Sequence, residues 1–337
     1  KPSKQFLDNL EASFGFKAPR DHGFDTIEAI KAMHRGQGKV FFALGGNFLS
    51  ATPDTNYTAE ALRKCELTVQ VSTKLNRSHL VHGQEAIILP TLGRSDIDIL
   101  NGTKQFVSVE NSMGVVHSSE GNLSPVSDDL ISEPAIICRL ALESLTSSKV
   151  NWARYLKHYD HIREDIERTI PGFENYNQRV RIPEGFYLPN GARDGVFHTE
   201  TKKANFAISN YEPILLEDQE FLMMTIRSHD QFNTTIYGLD DRYRGIYNER
   251  RVILMNAEDM KDRGLQSKDV VDIYNNTNKI ERVARHFLVV PYDIPRKCVA
   301  TYFPETNVLV PISEKADKSG TPISKSVIVE IMKLETS

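Results

Sequence analysis

Two short segments concentrate the residues that could do chemistry. The first is Gly45-Gly46-Asn47, which directly follows the apolar run KVFFAL and precedes a turn and a helical pattern. Glycines at such a place let backbone N–H groups approach a phosphate, and the helix terminus beyond favours its negative charge. The same residues would suit any tight strand-to-helix turn. The second segment is Arg227 to Tyr237, RSHDQFNTTIY, between the strand-like FLMMTI and GLDDRYRG. Its Arg, Ser, His, Gln, Asn and Thr side chains offer donors and acceptors together, which suits a phosphate, a sugar and a heterocycle edge. A solvated loop could carry the same residues. Asp240 and Asp241 could accept paired N–H bonds from a guanine edge, or simply pair with Arg242 and Arg244.

Other chemistries lack their signatures. No strand is followed by GxGxxG, since Gly36, Gly38, Gly45 and Gly46 have the wrong order and spacing, and neither GxxxxGK[ST] nor GxSxG occurs. His79 and His82, like His158 and His161, stand three apart, a spacing that a helix would place on one face, but no carboxylate or thiol partner is evident. They read as solvated or hydrogen-bonding histidines. The three cysteines, Cys65, Cys138 and Cys298, are far apart and odd in number, so they read as buried thiols rather than a disulfide frame or a zinc site.

The elements that must hold these segments alternate in the first half of the chain, as an α/β sheet requires. Strands are predicted at 39–44, 67–71, 86–89 and 106–110, mostly parallel, with a helix through Lys64 capped by Asp54 or Asn56. Pro134 opens another helix whose Ile136, Ile137, Leu140, Ala141 and Leu145 share a face. Residues 151–170 read as one charged amphipathic helix, and prolines 171, 183, 189 and 213 punctuate the stretch beyond it. From Phe221 onward short strands recur, FLMMTIRS, RVILMN, DVVDIY, HFLVVP, CVATYF and SVIVEIM, with one short helix at 257–263. That pattern predicts a closed β-barrel. The organisation is thus an α/β domain over 1–148, a helical and irregular connector over 149–215, and a barrel over 216–337.

Composition narrows the function further. The chain has 337 residues, 40% hydrophobic and 26% charged, enough for two cores. A formal charge of −4 provides no general basic field for nucleic acid. No apolar run reaches the length of a membrane span, and the opening KPSKQFLDNLEASFGF lacks the apolar stretch of a signal peptide, so the expected location is cytoplasmic.

The order GGNFLSATPD, VQVSTKLNRSH, AIILP, SSEGNLSP resembles the third domain of molybdopterin-dependent oxidoreductases related to formate dehydrogenase. The later run TIRSHDQFNTTIYGLDDRYRG, VILMNAEDMKDRGLQSKDVVDIY, YFPETNVLVPIS and SKSVIVEI resembles that family's carboxyl-terminal domain, and within the family the likeness is greatest to the formate-dehydrogenase-like alpha subunits. The resemblance implies a Rossmann-like, mostly parallel sheet domain followed by a double-psi β-barrel, together clamping a bis(molybdopterin guanine dinucleotide) cofactor with molybdenum or tungsten. On this reading Gly45, Gly46 and Asn47 meet a diphosphate or ribose, and Ser72, Thr73, Lys74 and Asn76 line the same crevice. Arg227, Ser228, His229, Gln231, Asn233 and Thr234 engage the second arm, with Asn307 and Lys325 as late contacts in the closing strands. The family has a Gly-Asp pair where this chain has Lys268-Asp269, so that turn is expected to be strained or differently shaped.

The family's amino-terminal half, with its 4Fe-4S cluster and the residue facing the metal, is not in this sequence, and no catalytic residue or metal ligand is expected here. The implied activity is two-electron oxidation or reduction of a small molecule, with an electron-transfer partner, and formate is a guess at the level of the family. Two rivals remain: a non-catalytic nucleotide- or partner-binding module built on the same clamp, and a nicotinamide dehydrogenase, which the absent glycine fingerprint disfavours.

Overall fold

Val40–Leu44, five apolar residues bounded by Lys39 and Gly45, forms a strand that pairs in parallel with Leu67–Ser72, and Glu85–Pro90 adds the third strand of this small sheet. The structure is a computed structural model that describes residues 2–210, 212–233 and 237–334. Helices Thr26–His34 and Thr55–Arg63 flank the sheet. Their Ile27, Ile30, Ala61 and Leu62 form one buried cluster with Leu49, Cys65 and Ile312. Ile312 comes from the far end of the chain, so this buried cluster joins the early segment to the late one. Each of the isoleucine and leucine side chains contributes about 1.5–3 kcal/mol by leaving water.

The six strands expected after residue 216 are all present and close into a barrel. Around it the order is Val252–Met255, Arg282–Pro291, Val270–Asn275, Val327–Lys333, Glu220–Ile226 and Cys298–Tyr302, and the last pairs with the first. Two of the pairings are parallel, Val252–Met255 with Arg282–Pro291 and Cys298–Tyr302 with Glu220–Ile226. Period-two burial explains why these sequences are strands: Phe221, Met223 and Thr225 turn inward from one, Val271 and Ile273 from another, onto a core with Ile253, Phe287, Val299 and Val329. The short helix Ala257–Asp262 begins where the sequence placed it, capped by the Asn256 side chain.

By contacts the chain forms two units that interleave along the sequence. One comprises Lys1–Gly23 and Pro90–Tyr211, the other Phe24–Leu89 and Glu212–Ser337. The strand expected at 106–110 is real but lies outside the parallel sheet. Val107–Glu110 pairs antiparallel with Val115–Ser119, which pairs antiparallel with Phe186–Tyr187. A second hairpin, Asp98–Leu100 with Thr103–Gln105, turns through Asn101 and Gly102, both at positive φ. The helix Glu133–Ser144 has Pro134 in its first turn, but its buried face is Ala135, Ile136, Cys138 and Ala141, whereas Leu140 and Leu145 are exposed. Residues 151–170 make two helices, Trp152–Tyr155 and Asp160–Thr169, separated by a turn. No described helix is long and apolar enough to cross a membrane.

The turn expected to be unusual is so: Lys268 sits at φ +71, left-handed backbone that favours glycine. Its N–H donates to the Val289 carbonyl at 2.8 Å, which holds it there. Lys268→Gly is therefore expected to raise stability by up to about 1 kcal/mol, read as a higher denaturation midpoint, and an unchanged or lower midpoint would contradict the strain.

Candidate functional site

The parallel strand Val40–Leu44 ends at two residues in left-handed conformation, Gly45 at φ +63 and Gly46 at φ +78. The Gly45 N–H donates to the Val71 carbonyl at 2.7 Å, tying the loop to the neighbouring strand, while Gly46 is exposed. The Asn76 side-chain amide donates to the Gly46 carbonyl at 2.8 Å, and its oxygen accepts from the Ser78 N–H at 2.9 Å, capping the 3-10 turn Arg77–Leu80. Asn47 is buried: its side-chain oxygen accepts from Ser78 Oγ at 3.1 Å, and that hydroxyl in turn accepts from the Leu49 N–H at 3.0 Å. The structure thus brings Gly46, Asn47 and Asn76 together and assigns Asn47 to shaping the loop. Ser72 turns back on its own strand end, donating to the Lys74 carbonyl at 2.7 Å, and Thr73 and Lys74 are exposed beside it.

Asp54 does not cap the helix Thr55–Arg63. It adopts φ +49 and makes no side-chain cap bond. Its carboxylate instead accepts from Arg282 Nη2 at 2.7 Å and Nε at 3.0 Å, a pair in which both side chains are nearly fully buried, the arginine at 4% and the aspartate at 8% exposure. Asn307 is likewise drawn inward. Its amide donates to the Ser50 carbonyl at 2.8 Å and its own carbonyl accepts from the Asp54 N–H at 3.0 Å, so it fastens the loop to the barrel.

In the second segment the residues divide by direction. Arg227, His229 and Asn233 are exposed, with the Arg227 guanidinium 5.3 Å from the Phe303 ring centroid and the His229 ring 3.7 Å from that of Tyr243. Ser228 and Gln231 face inward onto Arg250. Arg250 Nη1 donates to Ser228 Oγ at 2.8 Å; Nη2 donates to Gln231 Oε1 at 3.0 Å and to the Phe303 carbonyl at 2.9 Å; Nε donates to Glu305 Oε1 at 2.6 Å. Arg250 and Glu305, which hold this loop, are residues that the sequence reading did not single out. Arg250 has no motif of its own, and the one available hint was an arginine just before an all-apolar strand. Thr234 lies outside the described residues.

Electrostatics separate scaffold from surface. Burial pushes the Asp241 carboxyl upward, but the Tyr302 hydroxyl, which donates to it at 2.8 Å, and the adjacent Arg244 outweigh this and hold it below its usual range. Asp241 is therefore committed to Tyr302 and Arg244, and Asp240 accepts from the Asn248 N–H at 2.6 Å. Partial burial, then the charge of Arg227, hold the Lys325 ammonium below its ordinary value. Lys325 also donates to the Thr225 carbonyl. Burial and Glu305 raise the Tyr237 hydroxyl against the opposing charges of Arg250 and Arg77, which places Arg77, next to Asn76, within electrostatic reach of the second segment.

The histidine pairs hold no metal arrangement. His158 and His161 have carboxylate neighbours in Asp160 and Glu164, at 3.4 and 3.1 Å, and among the described residues no group of His, Cys, Asp or Glu could hold an ion. His79 Nδ1 accepts from the Asn76 N–H.

The chain is similar to known proteins in sequence and in fold. Residues 221–328, which contain most of the barrel and the whole Arg227 segment, match the family described as "Molydopterin dinucleotide binding domain". An uncharacterized oxidoreductase of Mycobacterium tuberculosis is 51% identical over 98% of this chain and 43% of its own length. Protein YdeP of Escherichia coli is 40% identical over 98% of the chain and 44% of its own length. The chain therefore spans less than half the length of these relatives. In fold it is similar to acetylene hydratase from Pelobacter acetylenicus, with a TM-score of 0.57 and 13% identity over 98% of this chain and 50% of that one.

Proposed function

We propose that this chain is the carboxyl-terminal portion of a molybdopterin-dependent oxidoreductase and holds the guanine dinucleotide arms of its cofactor. The observation that carries the reading is the match of residues 221–328 to a dinucleotide-binding domain, on a closed barrel whose loop presents Arg227, His229 and Asn233 outward. The mixed parallel and antiparallel pairing of that barrel supports, within this reading, a double-psi arrangement. Relatives named as oxidoreductases support the reaction class.

The residues present fit an anionic dinucleotide. Arg227 and Lys325 are exposed cations, Arg227 just beyond the end of the strand Glu220–Ile226 and Lys325 donating to the Thr225 carbonyl near that end, and a phosphate there would be favoured by both. At the other strand end, Gly45 and Gly46 keep the backbone open to close approach, with Asn76 fixing the loop. Gly45, Gly46, Ser72, Thr73, Lys74 and Asn76 would take one arm, and Arg227, His229, Asn233, Thr234 and Lys325 the other. Asn47, Ser228, Gln231 and Asn307 would act by holding those loops in shape. When bound, the cofactor supplies the two-electron chemistry at molybdenum or tungsten; the protein supplies binding, orientation and charge. A formate-dehydrogenase-like specificity, an iron–sulfur cluster and an electron-transfer partner belong to the same proposal and would depend on sequence outside this chain.

Arg227→Ala and Asn233→Ala, introduced into the full-length protein, are expected to lower bound metal and nucleotide together, by roughly tenfold for the arginine if its phosphate bond has ordinary charge-assisted strength. Metal and nucleotide contents unchanged in both variants would contradict the assignment and favour the rival module that binds a partner through the same clamp.

A further inference from the structure

A cavity of about 320 Å³ opens between the start of the helix Thr55–Arg63 and the barrel strand Arg282–Pro291. None of the residues assigned above to the dinucleotide lines it. Three arginines do: Arg77, Arg251 and Arg285, each of them exposed. The one carboxylate among its walls, Glu305, is already engaged by Arg250 at 2.6 Å. Of the three arginines only Arg285 is paired with a carboxylate among the described residues, through Nη1 to Asp272 at 3.0 Å, and its side chain stays 61% exposed. Thr55 and Asn56, the first residues of the helix, form part of the wall, and the helix start lacks the capping carboxylate that Asp54 has turned toward Arg282.

Arg77 and Arg251 have no carboxylate partner among the described residues, Arg285 keeps donors beyond the one given to Asp272, and the forked guanidinium geometry matches tetrahedral oxyanions. We propose that this cavity binds a small, multiply charged oxyanion, phosphate or diphosphate, on Arg77, Arg251 and Arg285. Thr55 and Asn56, residues with neutral donor groups, also belong to the lining. This goes beyond the dinucleotide reading, on which only the choice of a free ion over a dinucleotide's diphosphate rests. A diphosphate could reach the cavity free in solution or as the middle of a dinucleotide; the site is assigned to the free ion, because the loops assigned to the dinucleotide are not among its walls.

The test is titration of inorganic pyrophosphate into the full-length, cofactor-loaded protein by calorimetry, with Arg251→Met and Arg285→Met alongside. One binding event is expected, weakened at least about tenfold in each variant while GMP per polypeptide stays at the wild-type level. Absence of binding to the wild type would overturn the proposal. So would loss of GMP in either folded variant, which would give these arginines to the dinucleotide. If the wild type carries no GMP at all, the dinucleotide reading fails and the pyrophosphate titration still decides this one. Should a variant fail to fold, phenylglyoxal modification of the wild-type protein decides: pyrophosphate is expected to shield Arg251 and Arg285, mapped by mass spectrometry, and no shielding would refute the site.

Discussion

Replacing Arg250 by methionine is expected to lower stability by about 3–5 kcal/mol and to empty the dinucleotide site at the same time. The guanidinium is 4% exposed and Glu305 only 16%, so the substitution leaves a largely buried carboxylate without its cation. It also frees Ser228 Oγ and Gln231 Oε1, the two groups through which Arg250 holds the loop that presents Arg227 and Asn233. Lysine cannot reproduce the fork, so Arg250→Lys should retain part of the ion pair and lose the loop geometry. The informative variant is Arg250→Met combined with Glu305→Gln. Removing the stranded charge should recover much of the stability, while cofactor content stays low because the loop anchors are still missing. Chemical denaturation and released nucleotide, measured on the same preparations, separate the two effects. Cofactor content that recovers in step with stability would reduce Arg250 to a purely structural residue.

Asp54→Asn should be the other severe change, at about 3 kcal/mol or more. Arg282 would remain buried against the carbonyls of Thr277 and Ile280 with its counter-charge gone. Because the cost comes from the unpaired cation, Asp54→Asn with Arg282→Met is expected to be less destabilised than the sum of the single variants, with a coupling of at least about 1 kcal/mol. Additive single effects would contradict a direct pairing. The pair matters to the site because it fixes the entry to the helix Thr55–Arg63, and through the Asp54 N–H and Asn307 carbonyl it joins the early loop to the barrel.

Distance along the chain decides which of these features the sequence discloses. The barrel strands are legible because alternate burial is a local pattern: Phe221, Met223 and Thr225 announce it within a single short run. Lys268 is legible as the wrong residue for a left-handed position, given the resemblance. Arg250 and Asp54 are not, since their partners lie 55 and 228 residues away and only the folded chain brings them together. Asn307 and Ser228 look like surface donors in the sequence, yet the structure spends both inside. The antiparallel hairpin at 98–105 has a local signal, since Asn101-Gly102 is a favoured two-residue turn, which the sequence reading did not single out. The interleaved units could not be read from composition, because the links join residues far apart in sequence: the buried cluster that Ile312 shares with Ile27, Ile30 and Leu62, the Asp54–Arg282 pair, and the Asn307 bond to Ser50.

The most direct test of the central claim is acid-released GMP, counted per polypeptide by chromatography, on the full-length protein isolated from its natural source. A bis(guanine dinucleotide) cofactor held by these loops predicts about two GMP per polypeptide. Folded, intact protein that releases none would contradict the account and leave the two-loop clamp as a module for another ligand.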